Sequence, residues 1–274
     1  MKTVFRAAQE HVPHGTCPER DWKECEAFGE EKLLSLIDRT QLPKHLAIIM
    51  DGNGRWAAKR HLPRIAGHKE GISAVREIVT LARQLGICYL TLYAFSNENW
   101  NRPTTEVSQL MRLLGLYLKK ELNTLMADKV RLKAIGQIER LPKSIAKLLL
   151  SVEEQTSQNK EMTLILALSY SGRAEILDAV RNFCGDLQDQ KLSLHDLSET
   201  IFSNYLYTTG IPDPDLMIRT SGEIRVSNFF LWQMAYTELY FTKTLWPDFR
   251  RKEFLMALLD YQGRDRRFGK ISQI

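Results

Sequence analysis

The stretch His45-Leu-Ala-Ile-Ile-Met-Asp-Gly-Asn-Gly-Arg-Trp56 decides how the whole chain reads. Leu46 to Met50 is an apolar run of strand length, and Asp51 is the first polar residue after it. Gly52 and Gly54 free the backbone for positive φ and for close approach of a ligand. Arg55, Trp56, Lys59, Arg60 and Arg64 follow, and a helix is expected to start near Gly67-His68. A carboxylate at the carboxyl end of a strand, beside glycines, cations and a helix N-terminus, suits a diphosphate and its metal. Asp-Gly and Asn-Gly are also common hairpin turns, and the arginines also fit a solvated face, so the stretch alone leaves both readings open. It is no P-loop, because Gly-x-x-x-x-Gly-Lys-Ser/Thr does not occur. Nor is it a dinucleotide fingerprint, because the third glycine of Gly-x-Gly-x-x-Gly is missing.

Outward from this stretch, strands alternate with helices. Ile72, Val75, Ile78, Val79, Ala82 and Leu85 follow helical spacing, with Gly86 at the C-cap. Ile87 to Ala94 reads as a strand, and a stripe from Val107 to Leu125 as a helix over about 105–126. Val130 to Ile135 is a third strand. Pro142 opens a helix to about Gln155, and Met162 to Leu168 is a fourth strand. Ile176, Leu177, Val180 and Phe183 mark a further helix, closed by Gly185. The pattern predicts an α/β fold with a parallel sheet covered on both faces, and ligands at the carboxyl ends of its strands. Asp51, Ser96 and Ser169 all follow strands and would meet there.

Residues 1–41 read as an N-terminal extension, partly helical, with Leu33, Leu34, Leu36 and Ile37 packing on the body; its acidic content argues against a membrane helix. Pro43 marks the boundary, and 42–274 reads as one domain. A hydrophobic content of 44% argues against disorder. There is no apolar run of 18 residues and no apolar signal-peptide core, so a cytosolic chain is expected. A net charge of +5 does not by itself imply nucleic acid. Cys17, Cys25, Cys88 and Cys184 form no Cys-x-x-Cys, and Cys88 and Cys184 read as core or inert. His11, His14, Cys17 and Cys25 fit no standard zinc spacing.

His45–Trp56, Arg64-x-x-Gly67-His68 and Phe95-Ser-Asn-Glu-Asn-Trp-Asn-Arg102 resemble the motifs of the cis-prenyltransferases, the bacterial undecaprenyl diphosphate synthase type above all. The resemblance resumes at Ile218-Arg-Thr-Ser-Gly-Glu223, Arg225-x-Ser227-Asn228 and Trp232–Phe241, and covers about Leu42 to Phe268. It implies a six-stranded, mostly parallel sheet flanked by helices, with an apolar tunnel. The Asp-Asp-x-x-Asp motif of the all-helical trans-prenyltransferases is absent. The implied reaction is Mg²⁺-dependent cis-condensation of isopentenyl diphosphate onto an allylic diphosphate, farnesyl diphosphate being the expected starter. The product would be a long polyprenyl diphosphate, the undecaprenyl carrier precursor of cell-wall synthesis. A cytoplasmic homodimer is implied, without nucleic acid, in transient peripheral contact with the inner face of the membrane.

Residue by residue, the resemblance implies that Asp51 holds Mg²⁺. Gly54, Arg55, Arg64 and the N-terminal amides of the next helix would hold the allylic diphosphate, and Gly52, Asn53 and Trp56 would also bind substrate. His68 would contact the leaving diphosphate and carry a proton. Arg219, Arg225 and Ser227 would bind isopentenyl diphosphate. Ser96, Asn99 and Arg102 belong to a loop that closes over the substrates, Asn99 taking part in catalysis and Trp100 anchoring it. Glu238, in a region of homodimer contact, would complete the partner's metal site. Against these stand plainer roles: Asp51 as a turn cap, His68 as structural, Trp100 and the aromatics of 229–241 as packing. The five arginines named would also suit anionic lipid. Ser221 stands in a motif commonly spelled Thr-Gly-Gly-Glu, and Ser169 and Ser171 depart from Asn-Tyr-Gly-Gly-Arg; none of the three is assigned a role. Ala94, the Leu110–Leu125 stripe, Val130 and Met162–Leu168 are the tunnel candidates, with Met162 near the closed end and limiting product length. Two other readings are a non-catalytic partner subunit, disfavoured because Asp51 and the arginines are all present, and a nucleotide-binding protein.

Overall fold

The structure, a computed structural model, describes residues 27–265. His11, His14, Cys17 and Cys25 lie outside the described residues, as do most of the extension and the end of the resemblance at Phe268. Strand β1 (His45–Ile49) is buried along its length, as a continuous apolar run covered on both faces must be. With β2 (Tyr89–Ser96), β3 (Val130–Ile135), β4 (Met162–Tyr170), β5 (Leu216–Arg219) and β6 (Glu238–Phe241) it forms one six-stranded sheet, in the order β3-β4-β2-β1-β5-β6. Every neighbouring pair is parallel, so the expected mostly parallel sheet is wholly parallel. Ile49 is flanked by Tyr93 on β2 and Arg219 on β5. That register brings Asp51, Ser96 and Arg219 out at one edge of the sheet.

The helices are α1 (Glu30–Leu36), α2 (Asn53–Lys59), α3 (Arg64–Leu85), α4 (Thr104–Ala127), α5 (Lys143–Thr156), α6 (Gly172–Gln188), α7 (Glu199–Ser203) and α8 (Arg251–Gln262). Leu46, Ile48, Leu92 and Leu164 turn to a core shared with α3, α4, α5 and α8. Ala47, Ile49, Tyr93 and Met217 alternate to the opposite face and meet Phe229 and Phe230. Phe229 stacks on Tyr93 with ring centroids 4.5 Å apart. The described end of the extension packs on the body: Leu33 is buried and Glu30 pairs with Arg251 at 2.5 Å.

Several local expectations change. Residues 53–59 form a helix rather than a turn, because Ala57 packs fully buried and anchors it. Helix α3 begins at Arg64, a turn before Gly67-His68, directly after Pro63. Helix α6 passes through Gly185 to Gln188, and its buried face is Glu175, Ala179 and Phe183, while Leu177 and Val180 are exposed. Cys88 precedes β2 and Cys184 lies within α6; both are exposed, not core. Gly86 caps α3 at φ 92°, as expected.

Candidate active site

A cavity of about 800 Å³ opens at the sheet edge below Asp51, between the sheet, α3 and α4. Its mouth is formed by Asp51, Gly52, Asn53, Gly54, Arg55, Arg64, His68, Ser96, Asn99, Arg102 and Ser227. Its interior is apolar: Ile72 and Val75 from α3, Leu110, Met111, Leu114 and Tyr117 from α4, and Leu92, Leu166 and Leu168 from the sheet. An irregularity in the β2–β4 pairing at Ala94 gives that residue to the lining too. The tunnel expectation thus holds for Ala94, the first part of the α4 stripe, and Leu166 and Leu168 of the 162–168 strand. Met162 and Val130 are buried in the core and do not line the cavity. They lie at the amino-terminal end of the sheet, away from the mouth.

Around Asp51 the chain turns through Gly52 at φ 109°, where a side chain would be strained and its Cβ would lie 2.9 Å from Leu245 Cδ2. Gly67 lets α3 cross α2, since a Cβ there would sit 2.0 Å from the Asn53 carbonyl oxygen. The Asp51 carboxylate accepts from Arg219 Nη2 at 2.9 Å, and Arg55 Nη2 lies 3.2 Å from the same oxygen. Burial works to raise the Asp51 carboxyl, but the Arg219 bond, the Arg55 charge and a Ser221 bond outweigh it and hold it below the ordinary carboxylate range. Arg219 is almost fully buried and also donates to Ser227 Oγ at 2.7 Å. It fixes the loop of residues 220–228, in which Ser221, Ser227 and Asn228 all hold positive φ.

Each cation of the site is matched by a carboxylate. Glu106 receives Arg102 at 3.0 Å and Arg64 at 3.4 Å, with His68 Nε2 4.0 Å away. Glu223 receives Arg55 at 3.0 Å and Arg225 at 2.5 Å. Ser221 holds Arg55 further, accepting at its hydroxyl at 2.6 Å and at its carbonyl at 3.1 Å. His68 is pushed down to about 4, first by burial and then by the Arg102 charge, so its imidazole is neutral. His68 Nε2 and Asn53 Oδ1 are buried atoms without a hydrogen-bond partner, both on residues of the mouth. Asn99 folds back on its loop, its Oδ1 accepting from Ser96 N at 3.2 Å. Trp100 donates to Ser169 Oγ at 2.9 Å, which ties the loop to β4. Asn228 donates to Ser171 Oγ at 2.7 Å and to Glu98 at 3.0 Å, which brings the loop of 97–101 against that of 220–228.

Three residues expected in the site do not line the cavity, and Glu238, expected at a partner's site, is not beside its own Asp51. Trp56 is outside the cavity: its indole donates to Asp248 at 2.7 Å and Arg60 lies over its ring. Arg219 stands behind Asp51, and Arg225 is largely exposed beside Glu223; neither lines the cavity. Glu238 begins β6, level with Leu216 and about 10 Å down the sheet from Arg219 at 3.3 Å per residue. It pairs with Arg264 at 2.9 Å and is not brought to the Asp51 of its own chain. Sequence reasoning gave no role to Glu106, Glu223 or Glu98. The spacing of Arg102 and Glu106, four residues apart on a helix start, could have flagged the first.

The Prenyltransf family model, described as "Putative undecaprenyl diphosphate synthase", matches residues 49–269. An isoprenyl transferase of Heliobacterium mobile is 51% identical over 88% of this chain and 93% of its own length. One of Geobacter sulfurreducens is 52% identical over 85% of this chain and 94% of its own. The solved lavandulyl diphosphate synthase of Lavandula x intermedia, in complex with dimethylallyl diphosphate, superposes with a TM-score of 0.82 at 39% identity. It covers 84% of this chain and 100% of that one. The chain belongs to the undecaprenyl diphosphate synthase family of prenyltransferases.

Proposed function

We propose that this prenyltransferase condenses isopentenyl diphosphate with farnesyl diphosphate in a Mg²⁺-dependent, cis-selective reaction to give a long polyprenyl diphosphate, the undecaprenyl carrier precursor of cell-wall assembly. The observation that carries this reading is one cavity with a cationic mouth and an apolar interior. A diphosphate fits the first and a growing hydrocarbon the second. The dimethylallyl diphosphate of the lavandulyl relative supports an allylic diphosphate as the ligand.

In the reaction, the isopentenyl double bond attacks C1 of the allylic diphosphate, the bond from C1 to the diphosphate oxygen breaks, and a proton leaves. Arg55, Arg64 and Arg102 exchange their carboxylate partners for oxygens of the leaving diphosphate, whose charge they stabilise. Gly54, Asn53 and the first amides of α3 complete that cradle. Diphosphate charge beside neutral His68 raises its hold on a proton, which suits it to carry one. Ser227, Arg225 and Arg219 receive isopentenyl diphosphate, and the Ser96–Arg102 loop with Asn99 closes over both and excludes water. Asp51 offers one carboxylate at the mouth, and no cluster of three or more His, Cys, Asp or Glu occurs among the described residues. A single carboxylate with diphosphate oxygens is how Mg²⁺ is commonly held, so the donor set fits. When bound, the metal screens charge growing on the leaving group. Glu238, out of reach of its own Asp51, is assigned to the site of a second copy. Exposed Tyr236 and Leu239, its near neighbours in the chain, suit a homodimer contact. No helix among the described residues is long and apolar enough to cross a membrane, and a cytoplasmic enzyme with peripheral contact remains our reading.

The test is incorporation of radiolabelled isopentenyl diphosphate with farnesyl diphosphate, with Mg²⁺ or EDTA, beside Asp51→Ala. Long products that need Mg²⁺ and vanish in Asp51→Ala are expected. No incorporation by folded dimer with any allylic starter would overturn the reading.

A further inference from the structure

The condensation site leaves the outer face of α4 and α5 unexplained. Leu110, Met111, Leu114 and Tyr117 turn one side of α4 to the cavity. The other side exposes Arg112, Leu116, Lys119, Lys120 and Asn123, whose spacing of three and four residues makes one stripe. The same spacing on α5 exposes Lys143, Lys147 and Leu150, with Glu154 as the carboxylate of that stripe. The helices touch directly, since a Cβ on Gly115 would lie 2.9 Å from Ile145 Cδ1, and both cover the same sheet face. The two exposed stripes are thus carried by neighbouring helices. Whereas Arg55, Arg64 and Arg102 each face a carboxylate, none of the five cations of these stripes is in an ion pair among the described residues. Between them Leu116 is 55% and Leu150 59% exposed.

We propose that this α4–α5 face docks the protein on an anionic lipid bilayer. Lysines and an arginine without acidic partners meet headgroup phosphates, while their stems and the two leucines enter the boundary below. The purpose of docking rests on the proposed condensation. The helix that walls the apolar interior on one side carries the docking face on its other.

The test is sedimentation of the full chain with vesicles of phosphatidylcholine alone or of equal parts phosphatidylcholine and phosphatidylglycerol. Wild type should bind the anionic vesicles only, and less as salt rises. Replacing Lys119, Lys120, Lys143 and Lys147 together by Gln should weaken binding about fivefold per cation, several hundredfold in all. Leu116→Ser with Leu150→Ser should weaken the part that survives high salt. All variants should keep wild-type condensation in detergent with a soluble starter. Equal binding to neutral vesicles, or wild-type vesicle affinity in the folded four-lysine variant, would overturn the proposal. So would binding to heparin or duplex DNA without binding to vesicles. If vesicle binding behaves as expected but no condensation occurs, docking stands and the condensation reading falls.

Discussion

Acid should unfold this protein through two buried histidines. His45 Nδ1 lies 2.6 Å from the Pro212 carbonyl, which can only accept, so Nδ1 carries the proton. Nε2 then accepts from the Thr91 hydroxyl at 2.8 Å, a bond that a second proton would force to reverse. Burial, opposed by the Pro212 bond and the Asp215 charge, takes the His45 pKa from 6.5 to about 4. His68 reaches the same value by burial and the charges of Arg102 and Arg64, against Glu106. The unfolded chain takes up these protons near pH 6.5 and the folded chain only near pH 4. Both contributions are therefore complete above the higher value and are lost as pH falls towards the lower. Each is worth about 3 kcal/mol in full. Between pH 7 and pH 5 the pair removes about 4 kcal/mol, a fall in Tm of roughly 10 °C for a domain of this size. Thermal melts at constant ionic strength over that range read it directly. His45→Gln supplies a donor and an acceptor that do not titrate, and should halve the slope. A level Tm, or the same slope in wild type and His45→Gln, refutes the reasoning.

Tyr117→Ala should lengthen the product, because Tyr117 is the cavity residue farthest along α4, about 17 Å beyond Glu106 at 1.5 Å per residue. Glu121, buried one turn further along α4, accepts from Arg76 at 2.7 Å. Met162→Ala should cost about 2–5 kcal/mol of stability and leave product lengths unchanged; chromatography of the chains distinguishes the two. Ser221→Gly should relieve a φ of 82° and give up the bond from Arg55. These effects offset to within about 1 kcal/mol, so Tm should hold while the KM for the allylic diphosphate rises several-fold. Trp56→Phe should lower Tm slightly through the lost Asp248 bond and leave both diphosphate KM values unchanged, and a raised KM would return the indole to the site.

What the sequence made legible was whatever local chemistry determines. A five-residue apolar run must be a strand, and the acid that ends it must come out at the sheet edge, so β1 and Asp51 were readable from twelve residues. The step from turn to helix at Asn53 was not, because Asn-Gly favours a turn and only the burial of Ala57 overrides it. That step decides Trp56: on a helix, successive side chains diverge by about 100°, so Arg55 faces the cavity while Trp56 points to Asp248. Pairing across the fold was equally hidden. Arg219 belongs with Asp51 only because β5 lies beside β1, a neighbour relation that no periodicity encodes. Glu106 shows how this bears on function. Its partner Arg102 is one helical turn away, but Arg64 and His68 reach it only because α3 and α4 flank one cavity. Arginines brought this close would repel one another, and a carboxylate held at 16% exposure among them removes that repulsion. A motif search for cations alone misses the acids that keep those cations in place.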